Sequence, residues 1–187
     1  EKLIPNFAAE APIERKITQE RLSLMTEGGA LSFQYGSDKL ENLKYPSYSV
    51  LRSKFDKWLA DKAEEAGVML TEGFLVDKLV VEDGKVIGVM TGGEEFDADV
   101  VILADGVNSL LAQQIGMKKE LEQKDVAVGV KEVIELGEDV INERFGLSGN
   151  DGAAWMMAGD PTGGNLGGGF IYTNKDSQIG RASCRER

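Results

Sequence analysis

The sequence predicts a mixed α/β fold (an α+β mixture), in which helices accompany both antiparallel strands and a buried, parallel-type strand. Ala30–Tyr35 alternates apolar and polar residues, as a strand with one wet face does. Ser49–Ala66 has its apolar residues on one helical face, and Val100–Leu103 is a continuous apolar run that suits a strand covered on both faces. With 187 residues, 42% of them hydrophobic, the chain can bury a core.

The N-terminal part of the chain predicts a hairpin followed by a helix. Ile13–Thr18 and Arg21–Thr26 have strand character, and the turn Glu27-Gly28-Gly29 leads from them into Ala30–Tyr35. A polar connection from Gly36 to Tyr48 is interrupted by Pro46. The helix that Ser49 opens should end at Gly67. Its apolar face is predicted to consist of Leu51, Phe55, Trp58, Leu59, Ala63 and Ala66.

The middle of the chain predicts a compact meander. Phe74–Val81, Lys85–Thr91 and Glu94–Ala98 are extended segments separated by Glu82-Asp83-Gly84 and Gly92-Gly93. The predicted strand Val100–Leu103 follows, and a short helix from about Leu110 to Ile115 ends at Gly116.

The last part of the chain returns to strands. Val126–Leu136 reads as a strand and Glu138–Phe145 as a helix, and Trp155–Ala158 and Gly169–Thr173 read as two further strands. The glycine-rich stretch between these two strands contains neither GxGxxG nor GxxxxGK[ST], so we expect a hairpin loop there instead of a phosphate cradle.

Composition excludes several classes of function. A formal charge of −11 and a pI near 4.6 argue against a nucleic-acid partner, because phosphate binding requires clustered Lys and Arg. The chain has no histidine and one cysteine, Cys184, so no metal site, Cys-ligated iron–sulfur cluster or histidine-based triad is expected. Any chemistry must come from a cofactor or from carboxylates. No apolar run approaches the roughly 18 residues of a membrane span. We expect a cytoplasmic protein, with peripheral membrane contact left open.

The turn after Leu103 is the most specific local motif. Asp105-Gly106-Val107-Asn108-Ser109 lies at the carboxyl end of the predicted strand, where open α/β sheets bind ligands. The amides that open the next helix can face an anionic group such as a pyrophosphate. The alternative is an ordinary strand-to-helix turn in which Asn108 or Ser109 caps the helix.

Two stretches together resemble a known family. YSVLRSKFDKWLADKAEEAG, followed by EDGKVIGVMTGGEEFDADVVILADGVNS, is similar to the electron transfer flavoprotein–quinone oxidoreductase family, in its FixC-like branch, with geranylgeranyl reductases as the next relatives. The resemblance runs from about Ile4 to Ser177. It implies a partial FAD-binding, two-dinucleotide-binding-domain flavoprotein fold with an antiparallel substrate-domain sheet. It also implies that the chain is an internal fragment, because the family's strand-GxGxxG-helix does not occur in this sequence.

The resemblance implies a division of the chain. Residues 1–48 would belong to the substrate or cap domain and its connection, 49–120 to the second part of the FAD-binding domain, and 121–177 to the cap domain again. Residues 178–187 turn abruptly basic, resemble translated sequencing adapter and are expected to be a non-native tail.

The resemblance also implies five cofactor-binding residues. Arg52 would face FAD, where its planar donors suit phosphate or ribityl oxygens. The backbone of Val76 would meet the adenine ring, and Ala104, Asp105 and Gly106 would approach the ribose and diphosphate. Because a carboxylate repels phosphate, we expect Asp105 to hold turn amides or a hydroxyl. From the residues alone, Arg52 could be a solvated helix residue and Val76 a core valine. No catalytic acid or base is assigned.

The implied function is an FAD-dependent oxidoreductase that passes electrons from an electron transfer flavoprotein toward a quinone or a ferredoxin-like protein. The fragment alone is not expected to retain FAD or activity. One alternative is a geranylgeranyl reductase-like enzyme that reduces isoprenoid double bonds. The other is an acidic interaction module without a cofactor, in which the turn after Leu103 is only structural.

Overall fold

The computed structural model describes residues 4–36, 46–160 and 166–185. The chain forms two compact units: Glu1–Val68 with Ala127–Arg187, and Met69–Val126. Most of the predicted connection between Gly36 and Tyr48, and the middle of the predicted glycine-rich loop, lie outside the described residues. The domain boundaries implied by the family resemblance stay a prediction.

The first unit contains a seven-stranded mixed sheet. Its strands are β1 (Ile13–Thr26), β2 (Gly29–Gly36), β3 (Tyr48–Val50), β7 (Val128–Glu135), β8 (Asp151–Gly159), β9 (Leu166–Thr173) and β10 (Ser177–Arg185). Their order in the sheet is β2-β1-β8-β9-β10-β7, with β3 also paired to β1. The pair β1 and β8 is parallel and the other pairs are antiparallel.

The predicted hairpin and the predicted C-terminal strands are confirmed. The two strand segments before Glu27 form one continuous strand, β1, which pairs with β2 from Gln19 opposite Gly36 to Thr26 opposite Gly29. β8 and β9 pair as an antiparallel hairpin, as expected for the glycine-rich stretch between them. β10, which begins at Ser177, pairs with both β9 and β7 and so extends the sheet. A ladder is made by the backbone, so the predicted non-native origin of residues 178–187 stays a prediction.

The predicted long helix is also confirmed, with a later start. A short helix, α1 (Phe7–Glu10), precedes β1, and the long helix is α2 (Arg52–Glu65), because Ser49 lies in β3. The ring of Phe7 packs edge-on against Phe55 and Trp58 at centroid distances of 6.1 and 5.8 Å. Aromatic contact between the two helices therefore fixes α2 beside the start of the sheet.

A small core covers one face of the sheet beneath the helix α4 (Glu138–Phe145). Ile141 is fully buried and clusters with Leu147 and Ala153, and Leu136 and Phe145 pack against them. The αL conformation of Gly146, with φ 63°, ends the helix.

Arg15 is the largest fully buried side chain of the first unit. Its guanidinium donates to the backbone oxygens of Asn174 (2.6 Å), Lys175 (2.8 Å) and Asp151 (2.8 Å), and to Oδ1 of Asn142 (2.7 Å). These acceptors lie in the β9–β10 turn, at the start of β8 and in α4. One buried cation thus connects the two ends of the unit's sequence without a carboxylate among these hydrogen-bond partners.

The second unit confirms the predicted meander. β4 (Lys78–Glu82), β5 (Lys85–Thr91) and β6 (Glu94–Asp97) form a three-stranded antiparallel sheet. The short helix α3 (Leu110–Gln114) follows, and Gly116, two residues after its end, has a positive φ of 72°. A single 3₁₀ turn, Gln123–Asp125, lies near the end of this unit.

The predicted buried strand Val100–Leu103 is wrong for this structure. The segment joins no ladder, and Val100 and Ile102 are 75% and 85% exposed. The start of the predicted strand Phe74–Val81 also lies outside the sheet, with Phe74 62% exposed. A strand buried on both faces needs neighbouring parallel strands, and within the described residues no such strand lies beside this segment.

Within residues 4–36, 46–160 and 166–185, no helix has the length and apolar character needed to cross a membrane.

Candidate functional site

The turn after Leu103 is held by its own polar groups. The amide of Leu111 donates to Oδ2 of Asp105 (3.1 Å), and the Ser109 hydroxyl donates to the carbonyl of Gly106. Gly106 has φ 79°, which a side chain would disfavour. Asp105 therefore binds a turn amide, as expected from the repulsion between carboxylate and phosphate.

The side chain that caps α3 is Asp105. Ser109 occupies the N-cap position but makes no side-chain capping hydrogen bond, and the carbonyl of Asn108 accepts from Nε2 of Gln113 (2.6 Å). The alternative in which Asn108 or Ser109 caps the helix is therefore wrong. Asp105 combines the role of a structural cap with its predicted place beside a cofactor.

Lys118 places a positive charge at this turn. Its ammonium donates to the carbonyl of Val107 and to Oγ of Ser109 (3.3 Å). Sequence reasoning missed Lys118, because it lies in a charged stretch that is typical of a solvated connection. An ammonium beside exposed turn amides increases the affinity of this edge for an anion.

Val76 lies two residues before β4, in extended backbone, and is half-buried. The amide of Asp77 donates to the carbonyl of Met90 (2.8 Å), and Nε2 of Gln114 donates to the carbonyl of Asp77 (2.9 Å). The second bond joins the residue after Val76 to α3, the helix that Asp105 caps. The hydrogen bond between Asp77 and Gln114 thus links the segment that contains Val76 to helix α3, and Asp105 in turn binds the first turn of that helix.

Arg52 belongs to the first unit, as the first residue of α2. Its side chain is 70% exposed, and Nε donates to Oδ1 of Asp56 at 2.7 Å. This hydrogen bond and the charge of Asp56 raise the pKa of Arg52, so the guanidinium stays protonated. The Nε bond occupies one of five guanidinium donors, which leaves the terminal nitrogens able to face a phosphate.

A cavity of about 530 Å³ opens beside Arg52 in the first unit. This size is within the range of small-molecule sites. The described residues that line it include three cations and three aromatic side chains, and no carboxylate is among them. The polar and aromatic lining residues are Arg52, Lys131, Arg181, Tyr48, Phe170, Tyr172 and Ser49.

Sequence reasoning did not identify Lys131, Phe170 or Tyr172 as site residues. Phe170 and Tyr172 alternate on β9, and their rings stack at 5.7 Å with 15° between their planes. Burial raises the pKa of the Tyr172 hydroxyl, which stays neutral at physiological pH. The alternation was visible in the sequence, but the pairing of β10 with both β9 and β7, which brings Lys131 near Phe170, was not.

The five residues implied by the family resemblance thus fall in two groups. Val76, Ala104, Asp105 and Gly106 lie in the second unit, and Arg52 lies in the first. Each group offers chemistry that fits an adenine dinucleotide: a tight turn with a nearby cation in one, and an exposed guanidinium in the other. Their role in binding a cofactor stays a prediction.

Comparison with known proteins identifies the family. The model of the tryptophan halogenase family matches residues 14–128, which include Arg52 and the turn after Leu103. Protein FixC of Salmonella typhi is 56% identical over 175 residues, which are 94% of this chain and 41% of that protein. Protein FixC of Escherichia coli K12 is 54% identical over 177 residues, which are 95% of this chain and 41% of that protein.

A third relative carries a descriptive name. The probable electron transfer flavoprotein-quinone oxidoreductase YdiS of Escherichia coli K12 is 48% identical over 177 residues, again 95% of this chain and 41% of that protein. The chain spans about two-fifths of the length of the curated relatives it matches. The predicted resemblance is confirmed, and the family is one of FAD-binding proteins. The chain belongs to the tryptophan halogenase family and is similar to FixC and to a probable electron transfer flavoprotein-quinone oxidoreductase.

Proposed function

We propose that this chain carries the FixC-like part of an FAD-dependent oxidoreductase that takes electrons from an electron transfer flavoprotein and passes them toward a quinone or a ferredoxin-like protein. The observation that carries the proposal is the 48% identity to a probable electron transfer flavoprotein-quinone oxidoreductase, over 95% of the chain. We further propose that the protein works in the cytoplasm, where contact with a quinone would require a peripheral position at the membrane.

The residues of this chain have a supporting role in that chemistry. FAD supplies the electron transfer when it is bound, and the protein binds and orients it. Arg52 would donate from its terminal nitrogens to phosphate or ribityl oxygens, and Lys118 would add positive charge at the turn that Asp105 holds. The extended backbone at Val76 would pack along the adenine ring.

The test of the proposal is spectroscopic. The complete gene product is purified and its flavin absorbance is followed after addition of a reduced electron transfer flavoprotein. We expect yellow protein that bleaches and is reoxidised by a quinone or a ferredoxin. Colourless protein, or bound flavin that stays oxidised, would contradict the proposal. Turnover of a prenylated lipid without any response to the flavoprotein donor would instead identify a geranylgeranyl reductase-like enzyme.

Substitution of Arg52 tests the cofactor role separately. Arg52→Met should weaken FAD binding by about ten-fold, because one charge-assisted hydrogen bond to the cofactor is lost. Lys57→Met is the matched control, because Lys57 lies on the same helix and pairs with Asp61 with the same spacing as Arg52 and Asp56. Equal FAD affinity in both variants would remove Arg52 from the proposed site.

A further inference from the structure

The cavity beside Arg52 has a charge that the rest of the chain does not share. The sequence contains 32 acidic and 21 basic residues, yet no acidic residue is among the described residues that line this cavity. The lining of the cavity therefore differs in charge from the chain as a whole, which has a formal charge of −11. The local positive charge therefore suits an anionic ligand.

Lys131 is the cation available to such a ligand. Among the described residues it forms no ion pair, whereas Arg52 pairs with Asp56 at 2.7 Å and its terminal nitrogens are assigned to FAD in the proposed function. Arg181 also lines the cavity, but it falls in the stretch predicted to be non-native, so its side-chain charge is not counted and only the backbone pairing of β10 with β7 and β9 is used below. The ammonium of Lys131 is left as the group that can pair with a ligand's charge.

The walls of the cavity favour a flat ligand. Phe170 and Tyr172 stack with 15° between their planes, and Tyr48 of β3 also lines the cavity. Aromatic rings of this kind bind planar groups by offset stacking. The strand register places Lys131 in the same row as Phe170, since both pair across β10 with Arg181.

The row continues into an open apolar surface. Met156 pairs with Phe170, and Leu22 pairs with Met156 and with Phe33. Met156, Leu22 and Phe33 are 59%, 42% and 59% exposed. Paired residues share one face of a sheet, so this apolar surface is continuous with the aromatic wall of the cavity.

We propose that this cavity binds a planar organic anion, such as an aryl or conjugated carboxylate, with the ring against Phe170 and Tyr172 and the carboxylate on Lys131. The inference goes beyond the proposed function: it names a class of ligand for the cavity next to Arg52 and leaves the proposed electron donor and acceptor unchanged. The binding itself needs no flavin, so its failure can be distinguished from failure of the oxidoreductase proposal.

The experiment measures binding to the purified full chain by calorimetry with three probes: naphthoate, naphthalenemethanol and inorganic phosphate. We expect naphthoate to bind about ten-fold more tightly than the alcohol, which has the same ring without the charge. Phosphate should not compete with naphthoate, because it lacks a ring. Equal binding of acid and alcohol, or full competition by phosphate, would overturn the proposal.

Variants of Lys131 assign the effect to the cavity. Lys131→Met should remove the ten-fold preference for naphthoate and leave the affinity for naphthalenemethanol unchanged. Lys131→Arg, which keeps the positive charge, should keep the preference. Lys175→Met is the matched control, because Lys175 is exposed in the β9–β10 turn and is not among the cavity residues. Circular dichroism shows whether each variant is folded. A folded Lys131→Met variant that keeps the preference would overturn the assignment.

Discussion

At the level of single residues, Arg15 connects four parts of the first unit through one guanidinium. Replacing it with methionine keeps much of the apolar stem but leaves three backbone oxygens and Oδ1 of Asn142 without their donor. Buried acceptors that lose a charged partner are costly. We therefore expect Arg15→Met to lower the free energy of unfolding by about 3 kcal/mol, measured by urea denaturation.

Arg21→Met is the control for this prediction. Arg21 lies on the same strand, pairs with Gln34, and lies 4.8 Å from the ring centre of Trp155, but it is only partly buried. Loss of a partly exposed cation–π contact should cost about 1 kcal/mol. Equal destabilisation by the two substitutions would show that Arg15 contributes only as a surface residue does.

Tyr172 gives the first unit an alkaline dependence of stability. Burial raises its pKa above the ordinary value of 10.0. Below that value the folded and unfolded chains both keep the proton. Above it the unfolded chain ionises first, so stability falls as pH rises through the folded-state pKa. Tyr172→Phe should therefore flatten the loss of unfolding free energy above about pH 10. An unchanged alkaline slope in the variant would contradict this assignment.

Sequence reasoning found site residues that lie in a recognisable stretch of sequence and missed residues whose surroundings depend on distant strands. Arg52 and Asp105 were predicted because they lie in a recognisable stretch of sequence. Arg15 and Lys131 were not predicted, because the burial of Arg15 and the residues that neighbour Lys131 both depend on the pairing of strands that are far apart in the chain. Periodicity shows which face a residue lies on, but not what lies opposite.

At the level of elements, local pattern was sufficient where an element completes its own contacts. The β1–β2 hairpin, helix α4 and the β4–β6 meander were predicted from alternation, helical spacing and glycine turns, and the structure has them. Val100–Leu103 was predicted as a strand from its apolar run alone, but a strand forms only when a partner supplies hydrogen bonds. No partner for it lies among the described residues.

The meander depends on a glycine in its central strand. A Cβ at Gly88 would meet the carbonyl oxygen of Phe96 inside van der Waals contact and approach Cα of Asp97 to 3.1 Å. Gly88→Ala should therefore push β6 from β5 and cost about 1–3 kcal/mol. The readout is faster hydrogen exchange at the amides of β5 and β6, measured by mass spectrometry.

Gly36→Ala is the matched substitution for Gly88→Ala. It also introduces one methyl group into a strand, but the nearest atom to the new Cβ would be Cγ of Gln19 at 3.9 Å. We expect unchanged or slightly slower exchange in β1 and β2, because alanine restricts the unfolded chain more than glycine does. Faster exchange there would mean that strand glycines are required for reasons other than space.

At the level of the whole molecule, exposed apolar segments predict self-association of this chain. Val100 and Ile102 are 75% and 85% exposed in a segment that joins no ladder. Such a segment can pair with another chain, and a charge placed on it prevents pairing. We expect Ile102→Lys to reduce concentration-dependent association in sedimentation velocity, with a change in unfolding free energy below about 0.5 kcal/mol.

Asn108→Lys separates the effect of charge from the effect of the apolar side chain. It changes the net charge by the same amount at an exposed position of the same unit, in the turn that follows the segment. Association should persist in this variant. If both substitutions suppress association equally, net charge and not the apolar segment controls it.

The parallel pairing of β1 with β8 has a consequence for the order in which the protein is made. Lys16 lies opposite Asp151 and Met25 lies opposite Gly159, so this central pair joins residues separated by more than a hundred positions. The meander, by contrast, is contiguous between Lys78 and Asp97. During synthesis on the ribosome, the meander can form before β8, the parallel partner of β1, has been made. Until β8 is made, the hairpin of β1 and β2 has one unpaired edge, so we expect the chain to be most prone to aggregation, and most dependent on chaperones, during this interval.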